Sequence, residues 1–133
     1  AATNYRIHQL AGLDTIHVEA NAPQTLAEQL ATCDWVVDAI LGTGARGGPR
    51  PPWDGYVRML NDCQARKFAV DLPTGLDCDS GASSDPTFRA DQTATFVAIK
   101  PGLVKASTVA GVVHVVGIGV PRKLIAEVAA ERP

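Results

Sequence analysis

Hydrophobic positions along the chain form two kinds of run. Short β-branched stretches without a helical period occupy Trp35 to Leu41, Lys67 to Asp71, Gln92 to Ala98 and Val112 to Val116, and they predict strands. The first of these is too short for a helix and too apolar for an exposed edge, so it reads as a strand buried on both faces. Ile16 to Ala20 alternates and predicts a further short strand. Trp53, Tyr56, Val57 and Leu60 recur instead at i, i+3, i+4 and i+7, the apolar stripe of an amphipathic helix. Two more helices are predicted. One runs from Pro23 through Ala31, with a Thr25–Glu28 capping box only if it starts at Thr25. The other runs from Pro121 through Ala130, where proline suits the first turn. Ala1 to Gly12 carries little pattern and is expected to be irregular.

Strand, helix and strand across residues 35 to 71 make a βαβ unit, whose strands are parallel with a right-handed crossover. Parallel neighbours place their following loops at one edge of the sheet. The glycine-rich loop after the first strand and the Pro73-Thr74-Gly75 turn after the second are therefore expected to face each other across one crevice. The whole pattern predicts an open, mainly parallel α/β sheet with helices on both faces. At 133 residues the chain is one domain or part of one.

Composition narrows the function classes. A net charge of −2 with no basic cluster gives no electrostatic footprint for nucleic acid or an anionic membrane. No run is long enough to span a membrane, and Ala-Ala-Thr-Asn-Tyr-Arg lacks the regions of a signal peptide. Cys33, Cys63 and Cys78 are odd in number and widely spaced, so free thiols in a reducing, cytoplasmic compartment are expected.

The candidate chemistry gathers where strands end. Gly42-Thr43-Gly44-Ala45-Arg46-Gly47-Gly48 packs four glycines into seven residues, a backbone that can approach a ligand and turn its N–H groups into an anion nest. It is not a Walker A loop, because no Gly-Lys-Ser/Thr follows, and not a dinucleotide fingerprint, because Pro49, Pro51 and Pro52 intervene before any helix. It reads as a rigid ligand-facing strap, with a plain tight turn as the alternative. Arg46 and Arg50 lie near enough to meet a phosphate and are as readily surface arginines. Asp38 and Asp71 stand within or at the end of buried strands, where a carboxylate needs a partner, hydrogen bonds or a cation, and they are the candidate functional acids. His8, His17 and His114 share no ligand spacing, and His114 reads as a hydrogen-bonded core or edge residue. Asp77 and Asp79 read as turn caps.

Asp38-Ala-Ile-Leu-Gly-Thr-Gly, Asp71-Leu-Pro-Thr-Gly-Leu-Asp, Arg89-Ala-Asp-Gln-Thr-Ala-Thr-Phe and Lys100-Pro-Gly-Leu, in this order and spacing, resemble the YjeF N-terminal domain family, the NAD(P)H-hydrate epimerases. The resemblance implies a Rossmann-like domain that interconverts the R and S forms of hydrated NADH or NADPH, with a bound potassium ion. An ADP- or ATP-dependent dehydratase, fused or separate, would then restore the S form, and a homodimer is compatible with the reading. Carried over by position, Asp38 and Thr74 resemble the potassium ligands, Thr74 standing where many relatives have serine. Gly42 to Gly48 resembles the nucleotide-binding strap, and Asp71 resembles the substrate-contacting catalytic carboxylate.

One departure matters. Nothing between Ala1 and Asp34 resembles the Gly-Asn-Asn-Gly-Gly-Asp-Gly loop that precedes these motifs in the family. The 133 residues therefore read as part of a single longer domain that lacks this segment, or as a divergent relative. In the first case the isolated chain has an incomplete sheet. The rival reading is a binding module, since relatives of this domain serve as scaffolds in RNA decapping and apolipoprotein A-I binding.

Overall fold

The computed structural model describes residues 2–18 and 23–130. Four strands, β1 (Trp35–Asp38), β2 (Arg66–Val70), β3 (Gln92–Phe96) and β4 (Val112–Val116), form one parallel sheet in the order β1-β2-β3-β4. The helices are α1 (Ala2–Leu10), α2 (Pro23–Leu30), α3 (Trp53–Asp62), α4 (Pro101–Lys105), α5 (Ser107–Ala110) and α6 (Arg122–Ala130). No described helix is long and apolar enough to cross a membrane.

Strands that add in chain order through right-handed crossovers deliver every connection to the same face of the sheet. The packing follows that rule. The register Asp38↔Ala69, Ala69↔Thr93 and Thr93↔Val113 sets these residues side by side on one face, and the first three are buried. Val57 and Leu60 of α3, with Leu26 and Leu30 of α2, close over Val36 and Ala69 on this face. Leu103, Ala106 and Ala110 of α4 and α5 pack with Leu72, Leu76 and Val113. On the opposite face none of Trp35, Val37, Phe68, Val70, Ala94, Phe96, Val112 or Val116 is buried.

Several sequence expectations need correction. The first strand is not buried on both faces: β1 lies at the sheet edge, Val37 is 59% exposed, and Trp35 is covered only in part, by the Arg66 guanidinium stacked over its ring. It also stops at Asp38, because the carboxylate accepts the Ile40 N–H and draws the backbone out of the ladder. β3 ends at Phe96 rather than Ala98, where Val97 turns to positive φ. Residues 2–10 are helical rather than irregular; they contain neither glycine nor proline, and Gly12 at φ 68° follows where α1 stops. Because α2 begins at Pro23, Thr25 is already inside the helix and the capping box does not apply. Ile16 to Val18 form no strand, and Glu19 and Ala20 lie outside the described residues. All three cysteines are free thiols.

Candidate functional site

Each strand of the βαβ unit carries its carboxylate to the same edge of the sheet. Asp38 is the last residue of β1 and is 1% exposed. Its Oδ2 accepts the Thr74 backbone N–H at 2.7 Å, and its Oδ1 accepts the Thr74 hydroxyl at 2.8 Å and the Ile40 N–H at 3.1 Å. Thr74 Oγ1 in turn accepts the Leu41 N–H at 3.1 Å, so the turn after β2 is laced to the segment that enters the glycine loop. Among the described residues every hydrogen-bond donor to Asp38 is neutral. Burial accordingly pushes its carboxyl above the ordinary value, against the lowering effect of the Thr74 and Ile40 hydrogen bonds.

The Pro73-Thr74-Gly75 turn is held from behind by residues 84–88. Phe88 N–H donates to Thr74 O at 2.8 Å, Ser84 N–H to Gly75 O at 2.9 Å, and the Thr87 hydroxyl to Gly75 O at 3.1 Å. Gly75 has φ 94°, and a Cβ there would stand 2.6 Å from Pro86 O, so both the turn and the close packing require glycine. Between this turn and the glycine loop lies a cleft of about 210 Å³, lined by Leu41, Gly42, Ala45 and Gly47 on one side and by Leu72, Pro73, Gly75 and Ser84 among others on the opposite side. The expected facing of loop and turn is thus present. Gly42, Gly44 and Gly47 look onto open space, whereas Gly48 is pressed against Ser84. Thr43 and Arg46 are exposed.

Asp71 occupies the same sheet edge, yet it does not line that cleft, and Asp38 and Thr74 are buried rather than open to it. The loop and the turn thus share the cleft, and neither carboxylate lines it. Asp71 follows β2 at φ 70° and turns toward β3, because its N–H donates to Ala94 O at 2.7 Å. Its Oδ1 accepts Lys100 Nζ at 2.5 Å, Thr95 Oγ1 at 3.2 Å and the Phe96 N–H at 3.3 Å. Partial burial pushes this carboxyl up, but the Lys100 hydrogen bond and charge, with the Phe96 and Thr95 donors, outweigh it and hold the group below its ordinary value. Two adjacent strand ends therefore carry carboxylates in opposite states of compensation: one buried among neutral donors, one paired with an ammonium.

Lys100 and Thr95 were not singled out as site residues from the sequence. The signal available was their place in the motifs, Thr95 within Arg89-Ala-Asp-Gln-Thr-Ala-Thr-Phe and Lys100 at the head of Lys100-Pro-Gly-Leu. The discounted residues behave as structure. Asp77 accepts the Ser80 hydroxyl and the Asp79 and Ser80 N–H groups within its own turn, and His114 bonds Gln92 on the exposed sheet surface. Among the described residues there is no cluster of three or more His, Cys, Asp or Glu side chains suited to a metal ion.

Residues 1–102 match the family described as YjeF-related protein N-terminus. The chain is 44% identical over 131 residues to an NAD(P)H-hydrate epimerase of Pirellula staleyi, covering 96% of this chain and 58% of that protein. It is 41% identical over 127 residues to an NAD(P)H-hydrate epimerase of Rhodopirellula baltica, covering 94% of this chain and 51% of the relative. A bifunctional NAD(P)H-hydrate repair enzyme of Archaeoglobus fulgidus is 53% identical over 88 residues, 66% of this chain and 19% of the relative. The crystal structure of the yeast protein YNL200c superposes with a TM-score of 0.74 at 24% identity, over 93% of this chain and 52% of the yeast chain, which speaks for the fold alone. The chain thus spans little more than half the length of the two epimerases. With the motifs at its strand ends inside a match that runs over most of its length, the chain belongs to the YjeF-related N-terminal family.

Proposed function

We propose that the protein carrying this chain epimerises the R and S forms of hydrated NADH or NADPH. The observation that carries the reading is Asp71, a strand-end carboxylate held ionised by Lys100, whose Oδ2 accepts no hydrogen bond among the described residues. Relatives bearing the name NAD(P)H-hydrate epimerase support it, at 44% and 41% identity over most of the chain. The substrate carries a hydroxyl on the carbon beside the ring nitrogen. Inverting that centre requires loss of water and its return from the other face, or opening and reclosure of the ring. Either route moves one proton on and off an oxygen, which a carboxylate within hydrogen-bond reach can handle. The strap Gly42–Gly48 would bind the nucleotide's phosphates through backbone N–H groups, its glycines leaving the approach open.

A potassium ion on Asp38 and Thr74 belongs to the same proposal. The donor set fits: a buried carboxylate and a hydroxyl supply hard oxygen ligands, and no cationic side chain hydrogen-bonds Asp38 among the described residues. Bound there, the ion would offset the Asp38 charge and attract the nucleotide's phosphates. The bifunctional repair enzymes among the relatives support a dehydratase acting on the same metabolites, fused or separate.

The test is conversion of R to S hydrated NADH by the full-length protein, followed by chromatography. Asp71→Asn is expected to reduce epimerisation by about a hundredfold or more while nucleotide binding suffers less. Asp38→Asn is expected to raise the potassium concentration needed for half-maximal rate. No conversion by the wild-type protein would hand the case to the binding-module reading.

A further inference from the structure

The Lys100-Pro101-Gly102 segment has a physical logic that the proposed function does not use. Lys100 Nζ donates to Asp71 Oδ1 at 2.5 Å, to Thr95 Oγ1 at 2.8 Å and to Phe96 O at 3.0 Å, which accounts for all three N–H bonds of an ammonium. The Lys100 and Asp71 side chains are only 17% and 18% exposed. The main chain under Lys100 is anchored. It caps α4, Pro101 takes the first helical position, and Gly102 N–H donates to Cys78 O at 2.7 Å. A Cβ on Gly102 would collide with the Asp77 and Cys78 carbonyl oxygens, so glycine lets the helix start press against that backbone.

The acceptors are placed with equal care. β2 and β3 both end in a γ-turn. Leu72 N–H donates to Val70 O at 2.9 Å around Asp71 at φ 70°, and Ala98 N–H donates to Phe96 O at 2.8 Å around Val97 at φ 68°. A β-branched residue in this region is strained, and such strain collects where geometry is functional. The paired turns set Asp71 Oδ1 and the Phe96 carbonyl around one ammonium. Oδ1 also takes the Thr95 hydroxyl and the Phe96 N–H, while Oδ2 takes no hydrogen bond among the described residues.

We infer that Lys100 is the positioning residue for Asp71, fixing Oδ1 so that Oδ2 alone meets the hydroxyl of the bound nucleotide. This rests on the epimerase reading for what Oδ2 meets, and on geometry alone for the Lys100–Asp71 coupling. Lys100 acts through Asp71 rather than on substrate, because to donate a proton or bind a phosphate it would have to break one of its three internal hydrogen bonds. Cys78 is a further titratable group that interacts with the pair. Its thiol is raised by burial and the Asp79 charge, and it feels Asp77, Asp71 and Lys100 as well.

The experiment uses the full-length protein with Lys100→Met and Lys100→Arg, checked for folding by circular dichroism. Its first arm needs no substrate: the Asp71 carboxyl is titrated by carbon-13 NMR, assigned with Asp71→Asn. Lys100→Met is expected to move the Asp71 titration upward, and Lys100→Arg to return it toward the wild type. The second arm follows epimerisation. Lys100→Met is expected to lower kcat by about ten- to a hundredfold with KM little changed, and to shift the acid limb of the rate profile upward, Lys100→Arg recovering part of the loss. An Asp71 titration that stays put in folded Lys100→Met overturns the inference, as does a raised KM with intact kcat. Should Lys100→Met fail to fold, Lys100→Arg decides: an Asp71 titration moved as far as expected for complete loss of the ammonium counts against positioning by a cation. A wild-type protein without epimerase activity would refute the functional reading while the NMR arm still decides the coupling.

Discussion

Asp38 and Asp71 lie at neighbouring strand ends and answer to different physics. Asp71 titrates below its ordinary value in the folded chain, so it contributes stability above the unfolded carboxylate pKa of about 4 and loses it as pH falls through the folded value. Urea unfolding should therefore show the stability gap between wild type and Lys100→Met narrowing as pH drops below about 4; a gap constant with pH would mean that the pair contributes no linkage. Glycines around the cleft separate into two kinds. Gly75→Ala is expected to cost about 2–4 kcal/mol, since it combines positive φ with a Cβ pressed on Pro86 O. Gly44→Ala meets open space at ordinary φ, so stability should change by no more than about 0.5 kcal/mol. If the strap binds phosphate, the same change should weaken nucleotide binding by calorimetry, and unaltered affinity would argue against a close backbone approach at Gly44.

Among the elements, α3 and α6 have similar lengths and opposite dependence on packing. Val57 and Leu60 of α3 are buried at 0% and 8% exposure, in the cluster that also holds Val36, Ala69 and Phe88. Leu60→Ala is expected to destabilise by about 2–5 kcal/mol in denaturant titrations. Leu124 of α6 is 49% exposed, and Leu124→Ala should stay within about 0.5 kcal/mol. A large cost at Leu124 would show that α6 packs in solution against something not covering it here. The connection from β2 to β3 contains no helix among its residues; side chains and the Leu76↔Ser83 bridge hold it instead. Asn61 of α3 illustrates the device, its amide donating to Thr87 O and its carbonyl accepting the Arg89 N–H, both at 2.8 Å.

At the scale of the molecule, the core is one-sided. The face that carries Asp38, Ala69 and Thr93 is closed by helices, whereas the other exposes Trp35, Val37, Val112 and Val116 by 40% or more. Exposed apolar surface favours association, and a net charge of −2 offers little repulsion against it. Val112→Glu adds a negative charge on that face at a position 61% exposed. It should keep this 133-residue chain monodisperse in light scattering to higher concentration than the wild type; equal association of the two would clear the sheet face of responsibility.

The amino-acid sequence determined what depends on local period and local chemistry. Runs of Val and Thr at strand length, the helical stripe from Trp53 to Leu60, and the Pro73-Thr74-Gly75 turn are all legible along the chain, because neighbours in sequence carry the information. So is the parallel pairing of β1 and β2, since one helix between two strands admits little else. What only the tertiary structure decided involves partners distant in sequence. The edge position of β1 follows from the strand order, which no residue between Trp35 and Leu41 encodes. The helix at Pro101-Gly102 reads locally as a turn, and its start is held by the Cys78 carbonyl across 24 residues. The electrostatic difference between the two carboxylates arises in the same way: an ammonium 29 positions along the chain reaches Asp71, whereas the donors to Asp38 among the described residues are all neutral. Burial and charge compensation are sums over neighbours in space, and only the folded chain assembles those neighbours.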